Sequence, residues 1–85
     1  MRVHVSSVLH QYTGGRAQVE ATGVTAAEVL ADLDRQFPGL CFRVIDEQGR
    51  LRPHMRLFVG VEQEKDLNAP VGTQDIHLLH ALSGG

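Results

Sequence analysis

"GVTAAEVLADLDRQFPG", residues 23–39, is the stretch on which the fold turns. Thr25 is followed three residues later by Glu28, the spacing of a capping box. In that motif each side chain satisfies a backbone N–H that the first helical turn leaves free. Val24 and Val29 occupy the two positions of a hydrophobic staple around the cap. Beyond it, Ala26, Val29, Leu30, Leu33 and Phe37 recur at helical spacing on one face, while Asp32, Asp34 and Arg35 fall elsewhere. Pro38-Gly39 ends the helix, because proline cannot continue it and glycine suits the turn beyond. The stretch predicts one amphipathic helix with a single apolar stripe to bury.

The segments on either side supply a surface for that stripe. Upstream, Val3 and Val5 alternate with Arg2, His4 and Ser6, the period of a half-buried strand. Ala17, Val19 and Ala21 alternate in the same way with Gln18, Glu20 and Thr22. Gly14-Gly15 tolerates positive φ between them, so residues 1–22 predict a β-hairpin. Gly14-Gly15 does not read as a phosphate cradle, since no Lys-Ser/Thr follows and no helix begins there. Downstream, "CFRVIDEQGR" (41–50) reads as a short strand ending in a turn, and "HMRLFVG" (54–60) as another with Met55, Leu57 and Val59 inward. "VEQEKDLNAPVGTQ" (61–74) is polar and broken by Pro70 and Gly72, hence loop with at most a short turn. "DIHLLHAL" (75–82) is a last strand with Ile76 and Leu78 inward. A helix that follows a hairpin must cross one face of the sheet. A right-handed crossover then sets the last strand beside and parallel to the first. The expectation is an α+β, β-grasp (ubiquitin-like) fold, with a mixed sheet of four to five strands and one main helix across one face.

Composition narrows the function classes. The chain has 85 residues, enough for one domain and a single modest core. Hydrophobic residues make up 42% and charged residues 21%, ordinary for a globular protein. The net charge of −2 leaves no basic excess to neutralise phosphates, which argues against nucleic-acid binding. The lone Cys41 permits no intrachain disulfide and fits a reducing compartment. "MRVHVSSVLH" mixes charged and polar residues into its apolar run, unlike a signal peptide or a membrane span. A cytoplasmic, soluble protein is expected.

Element order and the ending "SGG" coincide in one known group. The chain resembles the MoaD/ThiS family of ubiquitin-like sulfur carriers, over essentially its whole length. The most specific part is "DIHLLHALSGG" (75–85), which matches the family's last strand running through a short small-residue tail into Gly-Gly. "LHQYTGGRAQVEATGVTAAEVLADLDRQFPGL" (9–40), with its "TGG" turn before the helix, is similar to the CysO-like subgroup. "VGVE" (59–62) stands where many members have a "VNGE"-like turn, and "GTQD" (72–75) where many have "DGDE". His80 stands where a proline is common.

The resemblance implies chemistry at the carboxylate of Gly85. An adenylyltransferase of the ubiquitin-activating, MoeB/ThiF-like type would use ATP to form an acyl-adenylate. Sulfur would displace AMP, and the thiocarboxylate would serve a biosynthetic enzyme. A cysteine synthase is the acceptor in CysO-like systems, and elsewhere the product is molybdopterin, thiamine's thiazole or another sulfur metabolite. The carrier itself would be no enzyme and bind no cofactor. Its domain would be residues 1–80, and residues 81–85 a flexible tail. Glycine has no Cβ, so Gly84 and Gly85 suit a narrow channel, helped by the small Ser83. Leu82 is the large tail side chain able to anchor in an apolar pocket. By alternation, His77, Leu79 and Phe58 face outward, and Phe58, Leu79 and Leu82 suggest an apolar patch for a protein partner. Phe58 also reads as an ordinary surface apolar residue.

Two other readings of the same end stay open: a ubiquitin-like modifier conjugated through Gly85, and a β-grasp binding module without sulfur chemistry. The five histidines (His4, His10, His54, His77, His80) show no metal-motif spacing, and Cys41 has no cysteine partner. Cys41 reads as a small core hydrophobe. Glu62, Glu64 and Asp66 read as a solvated loop, and no membrane or nucleic-acid partner is expected.

Overall fold

The computed structural model describes residues 1–81. The elements run β1 (Arg2–Val5), β2 (Gln18–Glu20), α1 (Ala26–Gln36), α2 (Leu40–Val44), β3 (Met55–Val59), β4 (Glu62–Gln63) and β5 (Ile76–His80). The strands form one mixed sheet in the order β2-β1-β5-β3-β4. β1 and β5 are parallel and every other pair is antiparallel. This is the expected β-grasp arrangement, with α1 on one face.

The capping box forms as read. Thr25 Oγ1 accepts from the Glu28 N–H at 3.2 Å, and Glu28 Oε1 accepts in return from Val24 N–H at 3.1 Å. The staple does not form, because Val24 is 67% exposed. The chain before the cap is held instead by pairing with the loop ahead of β5. Val71 N–H donates to Val24 O, and Thr25 bridges Pro70. Ala26, Val29, Leu30 and Leu33 are buried against Val3, Val5, Val19, Leu57, Ile76 and Leu78, and Phe37 packs at the edge of that core. Met55, Leu57 and Val59 point inward as their alternation predicts.

Three readings are corrected. The connection between β1 and β2 is not a tight Gly-Gly turn. A 3-10 turn at Ser7–Leu9 folds Leu9 into the core, and buried Thr13 ties the loop by donating its hydroxyl to Arg16 O at 2.8 Å. Gly14 and Gly15 do adopt positive φ, within this longer loop. "CFRV" is not a strand. Leu40–Val44 is a short helix entered through Gly39 in the left-handed conformation, with Asp34 Oδ1 accepting from the Gly39 and Cys41 N–H groups. Leu40 and Val44, one helical turn apart, are the residues it buries. Only an isolated bridge, Ile45 to Leu51, remains of the expected pairing, closed by the turn at Asp46–Gly49. The polar stretch 61–74 also contributes the two-residue edge strand β4.

Candidate functional site

β5 lies in the middle of the sheet, hydrogen-bonded to β1 on one side and β3 on the other. It is therefore the best-anchored strand, and it leads directly into the diglycine end. The pairing continues one residue past it, where Ala81 N–H donates to His54 O at 2.8 Å. Leu82, Ser83, Gly84 and Gly85, the residues assigned to the tail and its chemistry, lie outside the described residues.

Alternation along β5 puts Ile76 and Leu78 in the core and His77 and Leu79 on the opposite, uncovered face. Leu79 is 44% exposed. Phe58 shares that face, directly opposite His77, with Leu79 as its diagonal neighbour across the β3–β5 ladder. Phe58 is half-buried rather than freely exposed, so the expected patch is flatter than a projecting aromatic would make it.

The parallel register places His4 beside His77, and the two rings stack with centroids 4.3 Å apart and planes 7° apart. His4 Nε2 lies 2.8 Å from Asp75 Oδ2. An ionised carboxylate only accepts, so this nitrogen carries the proton. That hydrogen bond is the main cause holding the Asp75 carboxyl below its ordinary value, with Coulombic help from His4, Arg2 and His77. The face thus combines an apolar pair, Phe58 and Leu79, with a stacked histidine pair. Sequence reading missed the stack, because neighbours across a parallel pair are visible only once the register is known.

The other histidines are accounted for locally. His10 Nε2 donates to Val5 O at 3.1 Å. His80, opposite Met55 at the end of β5, tilts its ring over that of His54 with centroids 5.2 Å apart. Among the described residues no three His, Cys, Asp or Glu side chains are placed to hold a metal ion. Cys41 sits on α2, half-buried, and burial followed by the nearby Asp34 charge pushes its thiol pKa up. A thiol held in its neutral form is a poor nucleophile. Among the described residues nothing in this arrangement pairs a nucleophile with a base. The chemistry available to the domain is to hold β5 rigid and to present a sheet face beside its exit.

No protein-family model matches the chain. It is 28% identical over 89 residues to the sulfur carrier protein CysO of Mycobacterium bovis, covering 98% of this chain and 96% of that protein. The fold superimposes on an Amycolatopsis orientalis structure of a BexX/CysO complex with a TM-score of 0.88 at 28% identity, covering 99% of this chain and 98% of that one. The structure of Mycobacterium tuberculosis CysO gives 0.85 at 25% identity, over 95% of this chain and 98% of that one. Whole-length similarity and a shared fold support a CysO-like sulfur carrier. The chain is accordingly a small ubiquitin-like protein carrier and not an enzyme. No helix among the described residues is long and apolar enough to cross a membrane.

Proposed function

We propose that this carrier works through the α-carboxylate of Gly85, loaded and unloaded by other proteins in the cytoplasm. A carboxylate is a poor electrophile. A MoeB/ThiF-like adenylyltransferase makes it reactive by joining it to the α-phosphorus of ATP, with loss of pyrophosphate. Sulfide then attacks the acyl carbon (a persulfide in its place gives an acyl disulfide, which a thiol must cleave, leaving as the mixed disulfide with the donor). The bond from that carbon to the phosphate oxygen breaks, AMP leaves, and a thiocarboxylate remains. A sulfur-accepting biosynthetic enzyme, such as a cysteine synthase, takes the sulfur from there. ATP belongs to the partner, and the carrier holds no cofactor.

The observation that carries this reading is whole-length similarity to CysO proteins, with the central strand leading into Gly84-Gly85. Four residues follow the last sheet hydrogen bond at Ala81. Fully extended, any four residues span at most about 14 Å. The domain must therefore dock closely for Gly85 to reach a reaction centre. Gly84 and Ser83 keep that span thin, Leu82 anchors it in an apolar recess, and Phe58 with Leu79 provides the docking face. The neighbour solved as a BexX/CysO complex shows that a similar fold serves in a protein assembly.

The test is reconstitution of the chain with a MoeB/ThiF-like adenylyltransferase, ATP and sulfide, read by intact mass. The expected product is heavier by the difference between a sulfur and an oxygen atom, and deletion of Gly85 abolishes it. Sulfur transfer that survives the deletion would overturn the proposal. Large adducts linked to lysine in place of the small shift would instead establish a protein modifier.

A further inference from the structure

The sheet face does not account for a second surface. Two loops and the start of β3 enclose an open groove of about 680 Å³, lined among others by Arg50, Arg52, Arg56, Lys65 and Asp66. Four of the chain's 8 lysines and arginines are gathered here, although the chain as a whole carries −2. The gathering is therefore a local segregation of charge and not a reflection of composition. Asp66 in the same lining offsets part of the charge, and among the described residues it is paired with none of the four cations. Lys65 has no hydrogen-bond or ion-pair partner among the described residues. Arg52 lies 4.6 Å over the Phe42 ring and donates from Nε to Phe42 O at 2.7 Å. Arg56 donates from Nη1 to the carbonyls of Pro53 and Met55. Both guanidinium groups are thus oriented by neutral acceptors, and each keeps further N–H groups for an incoming anion. Arg50 is the partial exception, with Asp46 at 3.9 Å.

The position of the groove matters as much as its charge. It is lined by Pro53 and Met55, the neighbours of His54, whose carbonyl holds Ala81 at the exit of β5. It therefore flanks the start of β3, the segment that holds the chain where it leaves the sheet. A protein that takes in the tail therefore approaches next to this rim. Backbone N–H groups suited to a compact phosphate are already engaged here. Asp66 N–H donates to Glu64 Oε2, and Asn68 N–H to Asp66 Oδ1. What remains is an open trough of separated cations, a shape for carboxylates spaced along a chain. Arginine forks bind such carboxylates in bidentate fashion.

We propose that this groove receives an acidic segment of the adenylyltransferase that takes in the tail, steering the carrier onto it. The proposal rests on the tail-loading reading given above and names the partner surface it uses. Affinity of the intact chain for the enzyme should fall steeply with salt. Lys65→Glu combined with Arg56→Glu should weaken it roughly tenfold at low salt and flatten the salt dependence. Arg16→Glu, at the far β2 edge, should leave both unchanged. Lys65→Glu alone, at a side chain without partners among the described residues, keeps the test valid should Arg56→Glu disturb folding. Poly-glutamate should compete with the enzyme, and inorganic pyrophosphate at equal charge should not. Equal affinity of the Lys65→Glu and Arg16→Glu variants, or better competition by pyrophosphate, would overturn the proposal. Deletion of Gly85 separates the two readings, because it abolishes sulfur loading while leaving salt-dependent binding intact. Loading that survives the deletion would count against the tail chemistry alone.

Discussion

Gly23 precedes the helix cap, and the first turn of α1 occupies the space where its side chain would be. A Cβ built there would lie 2.6 Å from Val29 N and 2.9 Å from the Glu28 carbonyl carbon. Both are backbone atoms, so no rotamer change relieves the contact. Gly23→Ala must push the chain away from α1, along with the Val24 carbonyl that accepts from Val71 N–H. Overpacking of this kind costs roughly 1–3 kcal/mol. In a domain this small each kcal/mol lowers the melting temperature by about 4–8 °C. A thermal melt followed by circular dichroism would check it, and an unchanged midpoint would show that the turn can give way. Gly14, by contrast, has open space around it and is restricted only by its φ of 68°. In the sequence the two glycines look alike as punctuation. Only the close approach of α1 distinguishes Gly23, and that approach is a tertiary fact.

At the scale of elements, what the sequence disclosed follows from the length and regularity of each pattern. α1, β3 and β5 were legible because each carries enough alternating or helical repeats to outweigh local exceptions. α2 was not. "CFRV" is short, aromatic and β-branched, so propensity favours a strand. The deciding signals were Leu40 and Val44 one turn apart and an Asp34 carboxylate reaching forward to cap two N–H groups. β4 has two exposed residues and no pattern to read. The candidate site divides in the same way. The outward set Phe58, His77 and Leu79 was readable from alternation, whereas the basic groove was not, since β3 and β4 must pair before residues 50–56 and 63–68 meet. The β3–β5 face then permits a direct test. Phe58 is half-buried among outward residues, so Phe58→Asp removes apolar contact area and adds a charge without entering the core. Binding to the adenylyltransferase should weaken by roughly 1–2 kcal/mol, as for a moderate interface residue. The midpoint of denaturation should hardly move. Titration calorimetry and a urea melt on the same variant separate the outcomes. Unchanged affinity removes Phe58 from the docking face, and an unfolded variant places it in the core.

At the scale of the whole molecule, three carboxylates hold together parts that the hydrophobic core does not. Asp32 accepts from Thr22 N–H, Gln36 and Arg35, joining α1 to the segment that follows β2. Its pKa is lowered, most by the Arg35 hydrogen bond. Asp46 accepts from the Gln48 and Arg50 N–H groups, closing the turn that leads to β3, and the Arg50 backbone bond lowers it most. Asp75 is lowered chiefly by His4, tying the approach to β5 to β1. In each case the folded pKa lies below the ordinary carboxylate value of 3.8. The folded state therefore binds protons less readily than the unfolded chain, and stability rises with pH across that interval. The contribution is complete above pH 3.8. It diminishes as the pH falls through the folded values, when the carboxylates are protonated and their hydrogen bonds weaken. Urea midpoints measured from pH 5 down to pH 2 should therefore fall. The triple variant Asp32→Asn, Asp46→Asn, Asp75→Asn should start lower at pH 5 and fall less over the same range. Parallel curves for the two proteins would mean that other carboxylates govern the acid limit. The residual slope of the triple variant reads out what the remaining acids contribute, so the same experiment apportions the acid sensitivity between these three ties and the rest of the surface.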